Sequence, residues 1–498
     1  MEQLLQGFAT VLTPMNLLYC FIGTFLGTVV GILPGIGPLA TIGILLPLTF
    51  KMDVTSALLM LCGIYYGVAY GGTATSVLLR VPGEASSVVT CLDGYAMARK
   101  GRAGPALAVA AIGSFIAGTI GTIAISYLSP PLAKLVYAFG PAEYAALMVL
   151  GLSAVIYFSG GSLLKALLMA VFGFVIGAVG ADPVSMTPRL TFGLSGLGDG
   201  IDIAPLAIGL FGFSQLLSLA QKAPGNLKII EPPKTLLGFM PSREEARRSV
   251  GPVARGTVVG FLLGILPGGG ATLASFISYS LERKVSKHPE EFGQGAIEGV
   301  AGPETANNAG TAGALLPLLC MGLPANGVTA VLLSAFMIHG VSPGPAMMER
   351  QPVIFWGIIA SMYIGNVMLL ILNLPLIGIL IKILKVKRAY LASFILFFSL
   401  IGVYSSTGDS TGVVVAVFFG LAGYHLQRHG FDLSILVLAY VLGPLMERSI
   451  RQALTISAGS LKIFVGSPIS IALIVAAGGI LVAALWPRRL VAGHDVDL

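Results

Sequence analysis

Apolar residues run through this chain in long blocks, and the polar positions between them are gathered into short seams. Blocks long enough to cross a hydrocarbon core of ~30 Å recur from end to end, as in the stretch from Val353 to Ile381. On a yardstick of ~20 residues per span, about a dozen such segments are predicted. The pattern predicts an all-α, polytopic membrane protein with about 12 transmembrane segments, several of them cut by Gly or Pro.

The cuts follow a pattern of their own. The segment "GTVVGILPGIGP" (27–38) is matched 233 residues later by "GFLLGILPGGGA" (260–271) at seven of twelve positions, including Gly31/Gly264, Pro34/Pro267, Gly35/Gly268 and Gly37/Gly270. Proline removes a helical hydrogen bond and clashes with the preceding turn, while glycine admits geometries closed to other residues. In hydrocarbon the freed amides and carbonyls must be buried in protein or line a wet cavity. Gly27-x3-Gly31 and Gly260-x3-Gly264 also have the form of close helix-packing motifs, the ordinary reading of any one of these glycines.

Two further landmarks recur in the same order. "GGTATSVLLRVPGEA" (71–85) is answered by "AGTAGALLPLLCMGLPANG" (309–327), and "GRAGPA" (101–106) by "GVSPGPA" (340–346). Between the halves lies Gln221 to Arg255, with seven Lys/Arg against three Glu, Pro232-Pro233, and the capping-box form Ser242-x-x-Glu245. The expected organisation is a first membrane repeat (1–220), a basic cytoplasmic connector (221–255) with a short surface helix near 242–250, and a second membrane repeat (256–498). Paired, interrupted segments in duplicated halves point to the binding site of a secondary transporter, and the repeats are read as inverted.

Composition agrees with this picture. Of 498 residues, 55% are hydrophobic and 10% charged, well under the usual soluble value of roughly 25%. The net charge of +7 suits loops facing an anionic membrane surface and calls for no nucleic acid. The N-terminus has no basic n-region and no cleavage motif, so its first segment reads as retained. Cys20, Cys62, Cys91 and Cys320 stand singly in apolar surroundings and read as buried hydrophobes. There is no phosphate loop, HExxH or GxSxG, and "GLSG" (193–196) has no placed base, so enzymatic chemistry finds no support.

Helix ends exposed at a break offer N–H groups to an anion, and unwound carbonyls offer oxygen to a small cation such as Na⁺. The substrate-facing candidates are Gly35, Gly37, Thr75, Ser76, Arg80, Gly268, Gly269, Gly270 and Asn326. The cation-facing candidates are Pro34, Gly72, Thr73, Pro267, Asn307, Asn308 and Thr311. Arg80 could grip a carboxylate, pair with Glu84, or snorkel. Asp93 and Glu298 read as loop or ion-pair residues, Glu304 is balanced between pairing and ligation, and His339 reads as packed.

The stretches 65–115, 298–348 and 423–454, with both LPG segments, resemble the large membrane subunit of tripartite tricarboxylate transporters, the TctA family. The resemblance implies an ion-coupled importer of di- or tricarboxylates in the bacterial inner membrane, moving an elevator-like domain. It also implies a small four-helix membrane subunit, a periplasmic substrate-binding protein, Na⁺ as coupling ion with no other cofactor, and room for a dimer of complexes. The chain departs from the family pattern at Arg80, where that pattern has Asn, and at Ala325-Asn326, where it has Gly-Ser. A passive organic-anion channel is the alternative built on the same dipoles.

Overall fold

The computed structural model describes residues 2–33, 37–158, 162–182, 185–221, 230–385 and 407–485, with isolated positions between 393 and 404. These residues are mostly helical, the exception being a two-residue antiparallel pairing of Gly180–Ala181 with Pro188–Arg189. The first half comprises α1 (Glu2–Val11), α2 (Pro14–Ile32), α3 (Gly37–Leu45), α4 (Val54–Leu79), α5 (Thr90–Arg99), α6 (Ala103–Val136), α7 (Pro141–Phe158), α8 (Leu163–Gly177), α9 (Ile203–Ala207) and α10 (Ser214–Gln221). The second opens with α11 (Arg243–Ile265), α12 (Gly270–Val285), α13 (Glu298–Gly313), α14 (Leu315–Met321), α15 (Gly327–Ile338), α16 (Met347–Arg350) and α17 (Pro352–Asn373). It continues with α18 (Ile377–Leu380), α19 (Ser410–Arg428), α20 (Leu433–Ile456) and α21 (Pro468–Leu485).

Seven of these helices are long and apolar enough to span a membrane: α2, α4, α6, α7, α17, α19 and α20. Other apolar segments are shorter pieces, because Gly and Pro divide them, as between α14 and α15 at Gly322–Asn326. Exposed apolar residues run at helical spacing along α6 (Ile112, Ile116, Ile120, Ile123) and α8 (Leu164, Leu168, Val171, Val175). Stripes of that kind demand a non-aqueous neighbour, which lipid supplies. The chain is a multi-pass membrane protein.

Two helices lie almost entirely inside the bundle. Every residue of α4 from Ser56 to Leu79, and every residue of α13, is buried. Each is held by one of the helices that ends at an LPG motif. A Cβ added to Gly23, Gly27 or Gly31 of α2 would stand 2.2, 2.6 or 2.5 Å from a carbonyl oxygen of α4. Added to Gly256, Gly260 or Gly264 of α11, it would stand 2.5, 2.3 or 2.3 Å from a carbonyl oxygen of α13. The small-xxx-small spacing thus serves backbone-close packing, and α2 on α4 has its counterpart in α11 on α13.

Local chemistry sets the ends. Asp53 accepts the Ser56 amide to start α4, and α4 stops at Arg80, a left-handed cap with φ of 59°. Ser242 and Glu245 form the expected capping box. The helix they start is not a short one over 242–250 but the continuous α11, because the apolar period after Gly251 carries it into the bundle. The expected 255/256 boundary therefore falls within a helix, and residues 222–229 of the connector lie outside the described residues.

Ion pairs gather where α11 begins. Arg248 pairs with Glu298 at 2.8 Å and Glu291 at 2.5 Å, Arg255 pairs with Glu282 at 2.5 Å, and Arg102 pairs with Glu245. The Arg248 guanidinium holds the Glu291 carboxyl below its usual range. All four cysteines are buried and free. His339 Nε2 sits 2.8 Å from Thr49 Oγ1, a packed position as expected.

Candidate functional site

The last turns of α4 and the middle of α13 face one another, and three of the expected residues, Thr73, Asn307 and Asn308, meet glutamates and a serine there across the halves. Thr73 Oγ1 donates to Glu304 Oε2 and Thr90 Oγ1 to Glu304 Oε1, each at 2.5 Å. Glu304 is 1% exposed. Asn308 Nδ2 donates to Ser114 Oγ at 2.6 Å and to the Glu304 carbonyl at 3.1 Å. Asn307 Nδ2 donates to Glu84 Oε1 at 3.0 Å and reaches the Ala69 carbonyl at 3.4 Å.

Glu84 belongs to the loop that follows Pro82, and Ser86 Oγ donates to its Oε1 at 2.5 Å. The loop lies on the end of the first LPG helix: a Cβ on Gly83 would meet the Gly31 carbonyl oxygen at 2.2 Å. A Cβ on Gly72 would meet Glu84 Cγ at 3.2 Å, so glycine at 72 is what admits the glutamate. Among the described residues no Lys, Arg or His lies within ion-pair distance of Glu84 or Glu304.

The second break forms a separate polar group. Gly268, with φ of +78°, donates its amide to the Ala325 carbonyl at 2.8 Å. Gly269 caps α12, and Gly270 has φ of +57° with Asn326 Nδ2 as the nearest group a Cβ would meet, at 4.0 Å. Asn326 spends its oxygen on the Thr329 amide as the cap of α15, leaving Nδ2 to reach Tyr65 Oη at 3.4 Å. Tyr65 ties this group to α4, two turns before Thr73. Pro267 packs against Gly151 of α7.

The other expected residues have local employment. The hydroxyls of Thr75 and Ser76 donate to the Gly72 carbonyl at 3.1 and 3.0 Å, and that of Thr311 to the Asn307 carbonyl at 3.0 Å. Their lone pairs remain as acceptors. Gly37 begins α3 with φ of +64° and open space where a Cβ would stand. Arg80 is exposed and is not paired with Glu84, which bonds to Ser86 and Asn307 instead. Pro34 and Gly35 lie outside the described residues.

Asp93 has no ion-pair partner among the described residues. It is buried and accepts the amides of Gly293, Gly295 and Ala296 at 2.8, 2.8 and 2.9 Å, and the Tyr279 hydroxyl at 2.9 Å. Glu298 is ion-paired as expected, with Arg248. Sequence reasoning missed Thr90, Ser114, Tyr65 and Asn366 as parts of the polar belt. Asn366 accepts from Tyr70 Oη at 2.5 Å and donates to the Phe115 carbonyl at 2.7 Å, fastening α4, α6 and α17. An amide in the middle of an apolar run was the signal for it.

Space at the cluster is small. Voids of about 10 Å³, lined by Thr73 and Ser114, and about 20 Å³, lined by Asn308 and Asn366, adjoin it. Either admits a water molecule or a bare ion, and neither admits a carboxylate substrate. A wider cavity of about 690 Å³ lies between the 196–205 segment, α15, α19 and α20, with Asp199, Asp202, Asp409 and Arg448 on its wall.

Residues 17–438 match the family model described as "Tripartite tricarboxylate transporter TctA family". The chain is similar, at 48% identity over 482 residues covering 97% of this chain and 95% of the relative, to an uncharacterized 52.8 kDa protein in the TAR-I ttuC' 3' region of Agrobacterium vitis. It is similar, at 50% identity over 215 residues covering 43% of this chain and 89% of the relative, to an uncharacterized protein in the TAR-II ttuC' 3' region of the same organism. No solved structure matches the chain.

Proposed function

The chain belongs to the tripartite tricarboxylate transporter TctA family, and from that premise we propose that it imports a di- or tricarboxylate across the bacterial inner membrane, driven by a cation gradient, with Na⁺ as the coupling ion. The family is a transporter component, not an enzyme, and its members work with two further proteins in tripartite systems. In this reading those partners are a small four-helix membrane subunit and a periplasmic protein that delivers the substrate, and complexes can pair as dimers.

The observation that carries the proposal is the meeting of polar side chains from distant parts of the chain, Thr73, Glu84 and Thr90 with Glu304 and Asn307, at two buried helices, α4 and α13. Oxygen-rich groups face one another there within a shell of apolar residues, and a cation is the ligand such a shell suits. The substrate carboxylates are assigned to the mouths of the breaks, to the Gly270 amide, Asn326 Nδ2 and Arg80, the amides of Gly268 and Gly269 being bonded to the Ala325 and Leu266 carbonyls at 2.8 and 3.0 Å. Residues 1–220 and 256–498 act as two inverted repeats joined by a basic connector on the cytoplasmic side. The voids at the cluster are too small for substrate, which suits a barrier that opens by movement of one body against another, elevator fashion.

Uptake into proteoliposomes under an imposed inward Na⁺ gradient, with the delivering protein present, tests this reading. Accumulation above the external concentration is expected. Flux that only equilibrates would assign the chain to a passive organic-anion channel. The substrate itself follows from the ligand profile of the delivering protein.

A further inference from the structure

We infer that Glu84, Glu304 and Asn307 Oδ1 form a monovalent-cation site charged by the protein itself, so that the cation binds before the carboxylate and without it. The inference rests on the cation-coupled reading above and adds to it the anionic ligands and the order of binding.

An ionised carboxylate within a membrane bundle needs a partner, and one buried without a basic residue nearby is among the most costly groups a fold can hold. Glu304 is 1% exposed and receives two hydroxyls, from Thr73 and Thr90, but no cationic side chain among the described residues. Glu84, partly buried, is joined to the same cluster through the Asn307 amide. Hydroxyls ease such a charge and do not cancel it.

Asn307 adds an independent observation. Its side chain is 0% exposed, and its Oδ1 has no hydrogen-bond partner among the described residues. Its Nδ2 faces two acceptors, Glu84 Oε1 and the Ala69 carbonyl, so turning the amide over would set oxygen against oxygen. The orphan is therefore an oxygen held in the cluster by the very bonds that orient the amide. A buried acceptor without a donor calls for a water or an ion, and beside two carboxylates a cation is the one that also offsets their charge.

The ligand class follows from donor type and room. Carboxylate, amide and hydroxyl oxygens suit hard ions, and the nearest void, of about 10 Å³, reaches the cluster at Thr73, a donor to Glu304. A fixed negative charge also makes binding independent of the substrate's charge, and differential affinity then orders the two ligands.

The experiment uses the purified full-length protein without carboxylate, with NaCl replacing choline chloride at constant ionic strength and pH. The melting midpoint is expected to rise by about 4 °C between zero and saturating Na⁺. Glu304→Gln should abolish the rise. Should Glu304→Gln fail to fold, Asn307→Ala, which keeps both carboxylates, should move the half-saturating Na⁺ about tenfold upward. Glu298→Gln, at the Arg248 ion pair, should leave the Na⁺ midpoint unchanged. A wild-type rise that needs carboxylate overturns the inference and leaves Na⁺ coupling standing. A rise present without substrate, in a protein whose transport ignores the Na⁺ gradient, upholds the site and overturns the coupling. No Na⁺-specific rise under either condition overturns the site.

Discussion

The backbone amide of Gly268 donates to the carbonyl of Ala325 at 2.8 Å, tying the break after α11 to the break before α15. The two interruptions in the second half are therefore one structural unit. In the first half the loop at Gly83 lies in the same way on Gly31, at the end of α2.

This bond separates two substitutions that the sequence alone treats as equivalent. A Cβ on Gly268 would stand 2.5 Å from the Val155 Cα, at a φ of +78°. Gly268→Ala is expected to destabilise the protein by about 3 kcal/mol or more, which thermal unfolding in detergent would read. Pro267→Ala meets no such backbone and is expected to keep the fold while lowering Na⁺-driven uptake about tenfold or more. Unaltered uptake and Na⁺ dependence in Pro267→Ala would remove the second break from the transport site.

Glycines on the two helices that lead into the breaks should respond alike. Gly31→Ala sets a methyl 2.5 Å from the Val68 carbonyl oxygen, and Gly260→Ala sets one 2.3 Å from that of Ala306. Each is expected to cost about 2–4 kcal/mol, because backbone on both sides must move. Gly478→Ala, with nothing within 4 Å, is the comparison and should be neutral. A melting point for Gly260→Ala equal to that of Gly478→Ala would refute the backbone-close packing of α11 on α13.

Arg80 caps α4 in the left-handed region, with its side chain exposed and unpaired with Glu84. Asn tolerates that conformation better than arginine does, so Arg80→Asn should leave the melting point unchanged or slightly higher. If the guanidinium meets a substrate carboxylate, as proposed, KM should rise about tenfold with little change in kcat. An unchanged KM would confine Arg80 to the cap.

The breaks were legible because Gly and Pro mark themselves, and because the second copy repeats the spacing. The pairing of α2 with α4 and of α11 with α13 was half legible, in the Gly-x3-Gly rows, which name one face and not its partner. Proximity in sequence offered Glu84 as one of three alternatives for Arg80. Its true neighbour, Asn307, stands 223 residues away, and only packing brings them together. Thr90, Ser114 and Asn366 escaped for the same reason: hydroxyls and amides are common on membrane helices, and their meeting is a property of the fold.

Asp93 shows what such a long-range meeting does for the loop that leads into α13. One of its oxygens takes three backbone amides from residues 293–296 and the other takes Tyr279, so α5 holds the loop that leads into α13. Asp93→Ala would leave those three N–H groups without their acceptor. The expected loss is about 1–2 kcal/mol, seen as a lower melting point, because the buried Ala296 donor keeps its desolvation penalty while Gly293 and Gly295 can turn to water. Asp93→Asn retains one acceptor oxygen and should lose less than half as much. Hydrogen exchange at residues 293–297 separates a local role from a global one: rapid exchange there, with α4 still protected, is expected for Asp93→Ala. Equal protection in both variants would mean that the loop is held by the Arg248 ion pairs, not by the carboxylate of Asp93.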